Sequence, residues 1–301
     1  MKVKALNVSI VVPNYNGRDL LEKNLPSIIE ASENKANKII EIVLVDDGST
    51  DDSVKYIKEA FSKVKVVKHT KNRGFSETVN TGVRTAQSKL VCLLNTDVKV
   101  TRKFLKSVFV HFNDDSVFGV SLHEKGYGWA KGKFEDGFVA HEPGNESKSV
   151  KESFWVSGGS GVFRRDLWYQ VKGLDGDLFT PFYWEDIDLC YRAQKRGYKT
   201  LWDPNAKVLH DHESTIAKHS KTKKRQRIQE RNQLLFIWKN ITSPILFRKH
   251  MKGLFTRSLR HPGYLLIVYK ALRKLPEVIK KRKVEKKDST ISDEAIFQKF
   301  I

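Results

Sequence analysis

Several large protein classes are excluded by what the 301-residue chain lacks. It has two cysteines, Cys92 and Cys190, which are far apart in sequence. That excludes a disulfide framework and a thiolate zinc site. Each lies among apolar neighbours and reads as a small core residue suited to a reducing cytosol. Long apolar runs are also missing. The first, Val8–Val12, is too short for the core of a signal peptide, and the longest late run, Tyr264–Tyr269, falls far short of the roughly 20 residues a membrane span needs. The expectation is a cytoplasmic protein, peripheral at most to the inner face of the cell membrane. No G-x-G-x-x-G follows the first apolar run and no G-x-x-x-x-G-K-[ST] occurs anywhere, which excludes a dinucleotide-binding crossover and a P-loop. Acidic residues are scarce in one region only. Nearly all of the net charge of +20 falls between Lys218 and Lys287, so a nearly neutral body precedes a strongly basic tail.

What is present is a regular alternation. Val8–Val12, Ile39–Val45, Val64–Val67 and Leu90–Leu94 read as strands. Between them, apolar residues at helical spacing predict helices from Asp19 to about Ser32, around Val54–Phe61, and from Asn72 through Ala86. This β-α-β-α-β-α-β order calls for an α/β fold with a mostly parallel sheet flanked by helices. Further along, Thr101–Phe112 reads as a helix with Thr101 as its N-cap, and Val117–Leu122 as a strand. Residues 123–152 show no clear period and read as a long, mobile insertion. Lys199–Trp202 and Lys207–Leu209 read as two short strands.

The polar clusters Asn14-Tyr15-Asn16, Asp46-Asp47 and Asn95-Thr96-Asp97 each follow one of the predicted strands directly. In a parallel sheet they must meet along one edge, outside the carboxyl ends of the strands, where ligands bind. An aromatic ring, two carboxylates at a glycine turn and a further carboxylate suit a nucleotide with a divalent cation. Each cluster alone is equally a turn or a helix cap. A second stretch, Phe182-Tyr-Trp-Glu-Asp-Ile-Asp188, opens a helix ending at Gly197. Glu185 and Asp186 there complement the helix dipole, or, with three aromatics beside them, form a base of raised basicity. Asp188 reads as a partner for Arg192 one turn on. His210, at a strand end before Asp211, suits a metal ligand.

Taken in order, these motifs resemble an inverting family-2 glycosyltransferase with the glycosyltransferase A fold, of the rhamnosyltransferase kind. The resemblance rests on Val8–Asn16, Val45–Asp51, Asn72-Arg-Gly-Phe75 with Asn80, Asn95–Asp97, Trp184–Leu189, Val208–His210 and Arg231-Asn232. It implies a catalytic domain over residues 1–217 and a basic helical extension over 218–301. It implies that Pro13, Tyr15, Asp46 or Asp47, and Arg73 hold the nucleotide, and that Arg231 contacts the diphosphate. Asn95-Thr-Asp97 stands where the family has D-x-D, with Asp97 and His210 as ligands of Mg²⁺ or Mn²⁺ and Asn95 in place of the first aspartate. Asp186 is the implied general base, with Glu185 and Asp188 as its fallbacks. The implied donor is a UDP- or dTDP-linked sugar, dTDP-rhamnose included, and the implied acceptor a hydroxyl of a glycan or polyprenyl-linked molecule.

Two competing readings are a nucleotidylyltransferase, for which Asn14-Tyr-Asn-Gly-Arg18 is a poor basic loop, and a non-catalytic nucleotide-sugar-binding protein, for which only Asn95 speaks. A nucleic-acid arm is not expected, since no nucleic-acid-binding module accompanies the tail. The tail's apolar positions, including Leu234–Trp238, Ile245–Phe247, Leu254-Phe255 and Tyr264–Tyr269, alternate with basic clusters and predict contact with an anionic membrane surface.

Overall fold

The structure, a computed structural model, describes residues 6–210 and 222–300. Its first half runs β1 (Val8–Asn14), α1 (Arg18–Glu33), β2 (Ile39–Asp46), α2 (Ser53–Ala60), β3 (Val64–Lys68), α3 (Phe75–Thr85) and β4 (Leu90–Leu94). These four strands are parallel, in the spatial order β3-β2-β1-β4. The period of two explains why β4, and β1 apart from Ser9, look continuously apolar. Val8, Ile10 and Val12 face one way with Leu90, Cys92 and Leu94, onto Leu21, Leu25 and Ile28 of α1. Val11, Val91 and Leu93 face the other way, onto Val79 and Val83 of α3. Strands buried on both faces have no polar side to show.

The sheet continues through β5 (Val98–Val100), β6 (Val117–Glu124), β10 (Ser160–Arg164) and β11 (Lys199–His210), with β10 antiparallel between β4 and β6. Between β6 and β10 lie β7 (Ala130–Glu135), β8 (Phe138–Pro143) and β9 (Lys151–Glu152). The stretch expected as a mobile insertion is therefore a hairpin, β7–β8, followed by a short strand on β11. It shows no strand period because its buried residues, Ala130, Phe138 and Val139, pack on distant C-terminal helices. The expected helix at Thr101–Phe112 is likewise corrected to turns and a 3-10 segment, Val108–Asn113. The Thr101 hydroxyl donates to the Lys207 carbonyl instead of capping, and the Asn37 side chain accepts from the Leu105 amide. The two short strands expected near 199–209 are one strand whose register shifts between Asp203 and Lys207.

α4 (Arg165–Gln170), α5 (Gly176–Phe179) and α6 (Glu185–Lys195) follow β10. The tail forms α7 (Thr222–Asn240), α8 (Pro244–Arg260), α9 (Leu265–Leu272), α10 (Leu275–Asp288) and α11 (Asp293–Gln298). Leu234–Trp238, expected at a membrane, are buried instead. They join Trp184, Ile187 and Tyr191 of the α6 region, with Ile296, Phe297 and Phe300, in one apolar cluster. Buried ion pairs reinforce the union. Asp188 accepts from Arg192 at 2.8 Å, Lys239 at 2.9 Å and Asn240 at 2.8 Å. Asp293 accepts from Lys195 at 2.6 Å and Tyr191 at 2.7 Å.

Candidate active site

The site lies where the parallel strands end. Asn14 and Asp46, the last residues of β1 and β2, are register partners, and Val11 pairs with Leu93, one residue before the end of β4. The loops after β1, β2 and β4 therefore meet in one cleft of about 290 Å³. Pro13, Tyr15, Asp47, Asn95 and Asp97 all line it, together with Phe75, Thr78, Pro181 and Phe182. Thr78 and Pro181 carried no sequence signal of their own. Thr78 could have been found as the residue one turn beyond Phe75 on the helix that follows the Asn72–Phe75 motif.

The two aspartates of the second loop divide their work. Asp46 is fully buried and accepts from Asn14 Nδ2 at 2.9 Å and from the Ser49 amide at 3.0 Å, which ties the two loops to each other. Asp47 lies on the cleft wall and accepts the Arg73 and Gly74 amides, each at 2.8 Å, with His69 at 2.8 Å from its Oδ1. Arg73 thus meets Asp47 through its backbone amide, and it lines a separate charged cleft with Glu77 and Lys281. Gly48 is required at this turn. Its φ is +72°, and a Cβ there would stand 2.7 Å from the Lys71 carbonyl carbon.

Asp97 is buried, with Oδ1 3.0 Å from His210 Nε2, and Nδ1 of the same ring lies 3.1 Å from Glu124 Oε1. Burial works against protonation of His210, but the two carboxylates outweigh it and raise its pKa to about 10. Asp97 and Glu124 sit on opposite edges of the ring, so the three groups do not converge. Among the described residues no cluster of three or more His, Cys, Asp or Glu side chains is arranged to hold a metal. Asp97 and His210 can supply two ligands on one side. That suits a hard cation which takes its remaining positions from diphosphate oxygens and water. Asp97 lines the cleft, so such a cation would lie at its wall.

Asp186 is held from a different direction. Gly158 donates to its Oδ2 at 3.4 Å and its own neighbour Ile187 to Oδ1 at 2.8 Å, and burial nevertheless raises its pKa. Gly159 accepts the Asn95 amide at 2.8 Å, and a Cβ on Gly159 would stand 2.5 Å from Asn95 Nδ2. The Gly158-Gly159 pair thus joins the base candidate to the cleft wall. Glu185 is buried with its Oε2 lacking a hydrogen-bond partner among the described residues. Burial first, then repulsion from Asp186 and Asp188, raises its pKa well above the carboxylate range. Tyr183 and Trp184, just before α6, both have φ near +77°, a rare conformation outside glycine. Asn232 of α7 holds this loop by donating to the carbonyls of Phe179, Phe182 and Tyr183. Arg231 donates to the Thr180 carbonyl at 2.6 Å and to Asn232 Oδ1 at 2.7 Å, beside the cleft residues Pro181 and Phe182.

The fold is the glycosyltransferase A fold. The structure superposes on the crystal structure of GalNAc-T7 with UDP, GalNAc and Mn²⁺ with a TM-score of 0.63 at 16% identity, covering 87% of this chain and 57% of that one. Residues 9–169, more than half of the chain, match the family described as glycosyl transferase family 2, and the chain belongs to that family. A pre-mycofactocin glycosyltransferase of Mycobacterium tuberculosis is 27% identical over 223 residues, 70% of this chain and 44% of that protein. A GalNAc(5)-diNAcBac-PP-undecaprenol beta-1,3-glucosyltransferase of Campylobacter jejuni is 26% identical over 162 residues, 52% of this chain and 50% of that protein. The chain spans half or less of the length of these relatives.

Proposed function

We propose that the chain is an inverting glycosyltransferase that moves a sugar from a nucleoside-diphosphate donor, linked to UDP or dTDP, to an acceptor hydroxyl. The observation that carries this reading is the single cleft lined by Tyr15, Asp47, Asn95 and Asp97, with Asp186 tied to its wall through Gly158-Gly159. Tyr15 and Pro13 stack on or flank the base. Asp97 and His210 would hold a divalent cation, Mg²⁺ or Mn²⁺, and the chemistry it would supply there is neutralisation of the negative charge on the diphosphate leaving group. The structural relative solved with UDP, GalNAc and Mn²⁺ supports a divalent cation in general.

Asp186 takes the proton of the acceptor hydroxyl as that oxygen attacks the anomeric carbon. The nucleoside diphosphate leaves from the opposite face, and the single displacement inverts the configuration. Burial raises the basicity of Asp186, as the role requires. Arg231 and Asn232 position the Pro181-Phe182 wall. In this reading residues 1–217 are the catalytic domain and residues 218–301 its basic helical extension, and the reaction is a step in cell-surface glycan synthesis. The Campylobacter relative, whose name carries an undecaprenol-linked acceptor, supports a polyprenyl-linked or glycan acceptor here.

The test is donor hydrolysis by the full chain across a panel of UDP-, dTDP- and GDP-sugars, with Mn²⁺ and with a chelator. Metal-dependent release of UDP or dTDP from one or a few sugars is expected. No turnover of any donor, with UDP binding intact, would favour the non-catalytic reading.

A further inference from the structure

More than half of the large apolar side chains exposed among the described residues lie between Ile245 and Ile279. They are arranged in stripes. On α8, Met251, Phe255 and Leu259 recur every fourth residue, with Phe255 and Leu259 each 66% exposed. At 100° per residue they cover one side of the helix, while Leu246, His250 and Leu254 cover the buried side. On α9, Leu265, Leu266, Tyr269 and Leu272 are exposed, and Ile267 and Ala271 face the core. Core packing therefore accounts for one face of each helix and leaves the apolar side of the other unpartnered.

Along these two helices the charge has one sign. From Pro244 to Pro276 there is no aspartate or glutamate, whereas Arg248, Lys249, Lys252, Arg260, Lys270 and Arg273 are all exposed. Beside the α8 stripe lies a cleft of about 580 Å³ whose walls include Lys249, Lys252, Arg257 and Arg260, with Asp136 as the one acid among its lining residues. Arg257 is stacked over the Phe138 ring at 3.5 Å, but Lys249, Lys252 and Arg260 have no carboxylate partner among the described residues. Lys252 belongs to both features, being one residue after Met251 and on the wall of the cleft.

We infer that the α8–α9 face docks on an anionic lipid bilayer. The apolar stripes enter the boundary between headgroups and acyl chains, and the cleft at Lys249, Lys252 and Arg260 receives a lipid phosphate. Apolar side chains interleaved with cations only are the composition of an interfacial helix. No helix of the described residues is long and apolar enough to cross a membrane, so the contact is with the surface. An acidic protein partner would match the charge but would not call for apolar side chains spread along two helices. The inference stands on these exposed residues and not on the identity of the sugar donor.

The experiment is co-sedimentation of the full chain with vesicles of equal parts phosphatidylcholine and phosphatidylglycerol, and with pure phosphatidylcholine. The variants are Phe255→Ser with Leu259→Ser, Lys252→Glu with Arg260→Glu, and Val110→Ser as an exposed apolar control on the opposite half of the sequence. All the substituted side chains are exposed, so each variant keeps the wild-type circular dichroism. The wild type and the Val110 variant pellet with the anionic vesicles, less so at high salt, and the two double variants partition at least about tenfold less. Absence of wild-type pelleting, equal pelleting with pure phosphatidylcholine, or double variants that pellet like the wild type would overturn the inference. So would self-association of the wild type that is lost in the Phe255/Leu259 variant without any vesicle binding, since it would assign the face to a second copy.

Discussion

The amide of Gly158 donates to Oδ2 of Asp186, and the next residue, Gly159, accepts from the amide of Asn95. A carboxylate at the start of α6 and the end of β4, some ninety residues apart in sequence, are thereby held through a two-residue link. The arrangement gives the proposed base a fixed place relative to the cleft that Asn95 lines.

Asp186→Asn preserves this geometry and removes the basic oxygen. Turnover is expected to fall by roughly 10²–10⁴-fold, with donor affinity nearly unchanged because the residue serves the acceptor. Burial raises the pKa of Asp186, so the acid limb of kcat/KM should lie above the ordinary aspartate range and disappear in the variant. Near-normal turnover in Asp186→Asn would remove Asp186 from the role.

Asp97→Ala should abolish Mn²⁺-dependent binding of UDP or dTDP measured by calorimetry, while circular dichroism stays unchanged. His210, raised to about 10 by Asp97 and Glu124, must lose its proton to bind a cation. Mn²⁺ affinity should therefore rise about tenfold per pH unit from neutral into mildly alkaline solution, with one proton released per ion. An affinity independent of pH would refute ligation by His210.

Glu185 is the buried carboxyl with an unpartnered oxygen. Its folded pKa lies well above the unfolded value, so the native state binds the extra proton between the two. Stability from this group is complete below the unfolded pKa and is lost as pH rises through the folded one. Glu185→Gln keeps the neutral form at every pH. It should unfold at a higher temperature than the wild type at neutral and alkaline pH and at a similar temperature near pH 4. Equal thermal midpoints across the range would show that Glu185 ionises without penalty in the fold.

Asp293 tests whether the tail is detachable. It is buried against Lys195 and Tyr191 of α6 and accepts the Thr242 and Ser243 amides at 2.7 and 2.6 Å. Removing one partner of a buried pair typically costs about 3–5 kcal/mol. Asp293→Ala should lower denaturant stability by that order, and deletion of residues 245–301 should leave an insoluble or molten chain. A truncated chain that folds and binds UDP would show that residues 1–244 are sufficient.

The amino-acid sequence by itself determined the parallel half of the sheet and the edge on which the site forms. Strands buried on both faces show as short apolar runs, and loops at their carboxyl ends must converge, so Tyr15, Asp47, Asn95 and Asp97 could be assigned to one cleft by topology alone. The Asp188–Arg192 pair was equally legible, because both residues lie on one helix one turn apart. Contacts between distant segments were not legible. The β7–β8 hairpin and Leu234–Trp238 show no informative period, since each is buried by the other's neighbourhood and not by its own element. Only the tertiary structure separated the tail's apolar residues into those that complete the core and those, such as Phe255 and Leu259, that remain exposed. A helix's pattern reveals that it has apolar positions, but which of them are covered depends on what packs against it.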